Sequence, residues 1–359
     1  MSNFNKFKLL LVEDNQQDRQ NCIDCIKDFE SEKRCNIELV ISENAQDALS
    51  KLNGSFDAAI IDLKLGSEGH EGNQVIDKIE ESHFRIPVAI LTATPDATGR
   101  EFAHIGIFIK GERGAAYNDL LEIFWNIHNT GLTRIMGGRG KIEETLNKVY
   151  LQNLLPQKDK WVTYGKVDSL KTEKALLRHA ISHLLQLLDD EGECYYPEEV
   201  YLAPPLNSQI RTGSIVKEKS TEMRFVVMNP ACDLVIRDDG KCKTDRILTV
   251  AIDLQRELFP DYPTSGLSSK QQGELKNAFN NKKSLYYHWL PKTDFFEGGF
   301  LCFRKLSTLT QEDFNKRFDP PDVQISPSFV KDIIARFSAY YARQGQPEID
   351  LERFINLSS

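Results

Sequence analysis

The sequence predicts an α/β chain: a five-stranded parallel, doubly wound sheet over residues 1–130, a hinge and helical connector over 131–192, and a separate α+β domain over 193–359. Three observations carry this. Short, continuously apolar runs alternate with segments of helical period as far as residue 130, the pattern of parallel strands covered on both faces. A glycine-rich break interrupts all periodicity at 131–141. Beyond 193, short strands and turns follow one another without that alternation.

The apolar run at 8–12 is the first strand, and 17–30 is a helix with Cys22, Ile23, Ile26 and Phe29 near helical spacing. Residues 37–41 and 44–52 repeat the strand-helix unit. The run DAAIID at 57–62 is a third, buried strand; a glycine-rich loop at 66–72 leads to a helix at 73–82. PVAILT at 87–92 is a fourth strand, 105–109 a fifth, and 115–128 a last helix. The stretch GLTRIMGGRGK (131–141) has hinge or linker composition. Residues 142–155 and 172–190 are helical. Strands follow at 199–203, 209–217, 222–228, 247–252 and 299–303, with helices at 269–279 and 328–344; a small barrel or a curled sheet would suit them.

Composition bounds the function. With 359 residues, 40% hydrophobic and 27% charged, the chain is globular and long enough for two or three domains. No apolar run nears the roughly 18–20 residues that cross a bilayer. The first residues hold no secretory leader pattern, so the expected location is cytoplasmic, without a membrane partner. The seven cysteines (22, 25, 35, 194, 232, 242, 302) are scattered; Cys22 and Cys25 form a CxxC inside a helical pattern, with no second pair to complete a zinc site. Residues 1–130 carry 13 basic and 22 acidic side chains, a net of −9, which argues against that half touching a phosphate backbone. The rest is close to neutral, and no basic recognition helix is evident, so nucleic acid is not an expected partner.

Functional groups of an open parallel sheet gather at the carboxyl ends of its strands. Here Glu13 and Asp14 follow the first strand, Asp62 ends the third, Thr92 the fourth, and Lys110 follows the fifth. The order 2-1-3-4-5 makes strands one and three neighbours, so Asp14 and Asp62 meet. Carboxylates packed together repel unless a cation neutralises them, and a hard divalent ion such as Mg²⁺ answers that need. A lone aspartate at a strand end is ordinarily structural; the joint occurrence points to chemistry.

The segments KLLLVEDN (8–15), FDAAIIDLKLG (56–66), IPVAILTAT (86–94) and GIFIK (106–110) resemble the receiver domain of bacterial two-component response regulators, with its flavodoxin-like fold, over about residues 6–130. The resemblance implies that Asp62 accepts a phosphoryl group from a sensor histidine kinase. It implies that Asp14 ligates Mg²⁺ directly and Glu13 through water, with the Lys64 carbonyl as a further ligand. It casts Thr92 as the hydroxyl that turns to the phosphoryl group, Lys110 as its cationic partner, and Gly72 as the glycine before the third helix. Three departures stand out: Gly111 replaces a usual proline, Ile107 replaces a usual aromatic, and the short interval 92–110 predicts a truncated helix between the fourth and fifth strands.

The remainder carries no output motif. His179 and His183 sit four apart, a metal-ligand spacing, without an intervening Glu or a third ligand, and read as a packed or solvated pair. Cys232, in RFVVMNPACDLVIR (224–237), could act as a nucleophile with His288 as base, though a cysteine beside a strand is ordinarily packing. Three functions are therefore expected: a response regulator signalling through an atypical C-terminal protein-binding domain; a phosphate sink limiting flow to a second regulator, in a setting that includes phage-defence systems of two-component type; or a phosphorylation-gated enzyme.

Overall fold

The computed structural model describes residues 6–343 apart from 67–68, 94–104, 113, 189–193, 238 and 264. It divides into two compact units, 1–191 and 192–359, each treated by itself below. The helix expected between the fourth and fifth strands lies within 94–104, outside the described residues.

The first unit begins with β1 (Lys6–Val12), α1 (Gln16–Lys33), β2 (Asn36–Ser42), α2 (Ala45–Lys51), β3 (Ala58–Ile61), α3 (Gly72–Glu81), β4 (Val88–Thr92), β5 (Gly106–Ile109) and α4 (Tyr117–Thr130). The strands form one parallel sheet in the order β2-β1-β3-β4-β5. Successive side chains of a strand point to opposite faces, so the apolar runs split between two layers. Phe7, Leu9, Leu11, Ala58, Ile60, Ala89 and Leu91 pack with Ile26, Phe29, Leu120 and Phe124 of α1 and α4. Leu10, Val12, Ala59, Ile61, Val88 and Ile90 pack with Ala48, Val75, Ile76 and Ile79 of α2 and α3. Strands buried on both faces need no polar alternation, which is why they read as solid apolar runs. Cys22 belongs to the α1 layer and is buried, and both cysteines of the CxxC are free thiols.

The stretch 131–141 is not an open linker. It forms α5 (Leu132–Met136) and leads into α6 (Lys141–Val149). The Arg139 guanidinium meets Asp57 at 2.7 Å, and Arg85 bonds the Met136 carbonyl and the Glu143 carboxylate. Gly138 lies against the backbone of Gly54, where a Cβ would come 2.1 Å from the Gly54 carbonyl oxygen. Glycine here permits close backbone approach, not free motion; composition alone does not separate those two uses. A π-helical turn at Tyr150–Leu154, α7 (Lys158–Val167) and α8 (Ser169–Leu185) complete the described part of the unit.

The second unit contains β6 (Tyr201–Leu202), β7 (Ser214–Lys217), β8 (Arg224–Val227), β9 (Ile247–Asp253), α9 (Gln255–Leu258), α10 (Ser269–Phe279), β10 (Tyr287–Leu290), β11 (Gly299–Leu309), α11 (Gln311–Arg317), β12 (Val323–Ile325) and α12 (Pro327–Ala342). Its seven strands pair antiparallel in the order β10-β11-β9-β8-β7-β12-β6. Among the described residues the sheet is open, with β10 and β6 at its edges, and it is not a closed barrel. Ile215, Val226, Val250, Leu301 and Ile325 pack with Val330 and Ile333 of α12. Val216, Phe225, Val227 and Ala251 pack on the other face with Phe314 and Phe318.

Candidate functional site

The candidate site lies at the carboxyl edge of the parallel sheet. Backbone hydrogen bonds fix the strand ends relative to one another: the Asp62 N–H donates to the Val12 carbonyl at 2.9 Å, and the Lys110 N–H to the Thr92 carbonyl at 2.9 Å. The Asn15 side chain caps α1 by accepting from the N–H groups of Gln17 and Asp18. Arg19 holds the intervening loop, its Nη1 donating to the carbonyls of Glu13 (3.1 Å) and Asp14 (2.7 Å). Gly72 opens α3 directly over the backbone that follows β3. A Cβ there would sit 2.1 Å from the Asp62 carbonyl oxygen and 2.8 Å from the Leu63 Cα, so only glycine fits.

On this frame Lys110 reaches into a nest of acids. Its Nζ donates to Glu13 Oε2 at 2.7 Å, Asp62 Oδ2 at 2.8 Å and Asp18 Oδ2 at 2.9 Å. Burial alone would lower the lysine pKa; the three carboxylates outweigh it and raise the value, so the ammonium stays charged. Glu13 is buried, and its pKa is raised by that burial against the opposing pull of Lys110. Asp62 is also buried, whereas Asp14 faces solvent. Oxygen atoms of Glu13, Asp14 and Asp62 lie within 4.8 Å of one another. Three hard carboxylate donors so close, with one already turned outward, are compatible with a divalent cation of the Mg²⁺ class.

The other residues expected here take distinct places. Thr92 is buried at the end of β4. Lys64 is exposed, and its N–H donates to Asp62 Oδ1 at 3.2 Å. Gly111 has φ +88°, a left-handed conformation that proline cannot adopt, which accounts for the residue after Lys110. Ile107 is 43% exposed on β5.

Sequence reasoning missed Asp18, Glu71 and Tyr117. An acid in the first turn of a helix is too common to flag. Glu71 accepts the N–H groups of Leu65 and Gly69, shaping the loop after β3. Tyr117 opens α4 with its hydroxyl buried and, among the described residues, without a hydrogen-bond partner; burial, then Glu13, push its pKa up.

The proposed thiol site does not assemble. Cys232 is exposed beyond the end of β8, where Asn229 bonds Arg246 before β9 begins. His288 lies on β10, paired with Leu301, which pairs in turn with Ile252 near the far end of β9. His179 and His183 bond each other at 3.2 Å, and among the described residues the acidic trio is the only group placed to hold a metal.

No family model matches the chain, and no curated protein matches it. Among solved structures, the N-terminal domain of a response regulator/sensory box/GGDEF three-domain protein from Carboxydothermus hydrogenoformans is 20% identical; the match covers 35% of this chain and 98% of that one, with a TM-score of 0.28. A chemotaxis protein from Vibrio cholerae is 19% identical over 34% of this chain and 98% of its own, TM-score 0.28. The receiver domain of NtrX from Brucella abortus is 18% identical over 33% and 98%, TM-score 0.27. The matches to receiver domains lie in the N-terminal part, and the rest of the chain is not matched. The sheet order, the all-parallel pairing and the helices on both faces are those of a flavodoxin-like doubly wound fold.

Proposed function

We propose that the first unit is the phosphoacceptor of a phosphorelay, with Asp62 taking a phosphoryl group from the phosphohistidine of a sensor histidine kinase. The observation that carries this reading is the buried Asp62 carboxylate held against Lys110 and beside the two acids that follow β1. An Asp62 oxygen attacks phosphorus, the P–N bond breaks, and its electron pair leaves on the imidazole. Lys110, held charged, pairs with the phosphoryl oxygens, and Thr92, at the end of the neighbouring β4, donates its hydroxyl in this reading. Mg²⁺, bound by Glu13, Asp14, Asp62 and the Lys64 carbonyl, would offset negative charge on the transferred group.

The setting is cytoplasmic in this reading, and the second unit passes the signal to a protein partner. Exposed Ile107 on β5 gives weight to a second reading, a phosphate sink that competes with another regulator for the kinase. A phosphorylation-gated thiol enzyme loses support from the separation of Cys232 and His288.

Acetyl phosphate with Mg²⁺ should add one phosphoryl group to the chain, detected by intact mass, and Asp62→Asn should abolish it. Equal labelling of Asp62→Asn would refute the assignment. Phosphotransfer from one kinase to a second regulator, with and without this protein, separates output from sink.

A further inference from the structure

Helix α8 is apolar on two opposite faces. One face, with Thr172, Ala175, Leu176, His179, Ala180, His183 and Leu184, is buried or half-buried toward α6 and α7. The other carries Leu170, Leu177, Ile181 and Leu185, which are 68, 61, 47 and 56% exposed. At 100° per residue these four fall within an arc of about 80°, and they run about 22 Å along the helix. Water-soluble helices with apolar residues on both sides bury both.

We infer that this outer face is the contact between two copies of the chain, paired through parallel α8 helices about a two-fold axis. The spacing supports that occupant. Leu170, Leu177 and Ile181 fall at d, d and a positions of a heptad, with Lys174 at the intervening a position and Leu185 at a flanking e position; leucine at d with a β-branched residue at a is the pattern of two parallel strands. The flanks match as well. Glu173 stands at a g position and Arg178 at the e position five residues on, so in a parallel pair each Glu173 meets the other copy's Arg178. An antiparallel pair would instead bring the e-position flank, Lys171 and Arg178, against its own copy. The four exposed side chains offer roughly 400 Å² of apolar surface, near the ~450 Å² of apolar area that each partner brings to a standard interface. This inference stands on α8 and does not depend on the phosphoacceptor reading.

Sedimentation velocity on the full chain, from about 1 to 100 µM, tests it. The wild type should shift from monomer to dimer, and Leu177→Glu with Ile181→Glu should hold it monomeric with unchanged helix content by circular dichroism. Val162→Glu, at an exposed apolar site on α7, should leave the dimer intact. Glu173→Arg should weaken association about fivefold, and adding Arg178→Glu should restore it. A wild type that stays monomeric overturns the inference, including the case where slow hydrogen exchange over 170–185 shows another part of the chain covering the stripe. A dimer indifferent to the double glutamate substitution overturns it too, and a failed charge reversal overturns the parallel register.

Discussion

Lys110 donates to three carboxylates at once, and each competes with whatever else could occupy its ammonium. Glu13 and Asp62 belong to the proposed chemistry; Asp18, on α1, does not. In Asp18→Asn the lysine loses one charged acceptor and is more available to an incoming phosphoryl group. The expected result is an initial rate of labelling by acetyl phosphate about two- to fivefold above wild type, the scale of one partly exposed ion pair. A rate at or below wild type would mean that Asp18 positions Lys110 for the reaction and does not compete for it. The strand-end positions of Glu13, Asp14, Asp62, Thr92 and Lys110 were legible because each stands where an apolar run stops. Asp18 was not, because its role depends on where α1 crosses the strand ends, and no local pattern encodes that crossing.

Among the elements, the start of α3 is tightly constrained. Replacing Gly72 with alanine drives a methyl into the Asp62 carbonyl, backbone against backbone, where no side chain can turn aside. The expected cost is about 3 kcal/mol, read as a lower urea midpoint for the first unit and accompanied by slower labelling, because the displaced segment carries Asp62. Strands β1, β3 and β4 were readable because their residues are apolar on both faces, and helices of 18, 7 and 10 residues follow β1, β2 and β3. In the second unit, β6 has two residues inside the strand expected at 199–203, whereas β12 has three, too few to establish a period of two. The run Tyr287–Leu290 reads equally well as a packed aromatic cluster. The linker reading of 131–141 failed for a different reason: its glycines serve contact with Gly54 and a turn at Gly131, φ +89°.

At the scale of the whole molecule, the two units have separate cores and should answer differently to acid. His288 is 7% exposed on β10, and burial lowers its pKa to about 4, with Arg336 adding to the effect and Asp332 opposing it. The unfolded chain binds that proton near pH 6.5 while the folded unit resists it until about pH 4. Stability from this residue is therefore complete above pH 6.5 and falls as pH drops toward 4, by about 3 kcal/mol in all. Thermal unfolding followed between pH 7 and 4 should show the second unit weakening over that window, and His288→Gln should flatten the dependence. An unchanged slope in the variant would assign the acid sensitivity to another group.

The order of the two acids that follow β1 matters as much as their number. Leu9 and Leu11 face one helical layer, Leu10 and Val12 the other; just past the strand end Glu13 is buried against Lys110 while Asp14 opens to solvent, and their carboxylate oxygens still converge within 4.8 Å. The pair is not a double dose of one acid. Glu13 carries the extra methylene on the side that must reach an ammonium 2.7 Å away; Asp14 is short on the side that stays open to solvent. Transposing the two letters would change neither composition nor charge, yet it would leave a carboxylate too short for the lysine and another too long for its place at the rim. Order along the chain thus works as grammar, and the meaning of each acid is set by which of the two places it occupies.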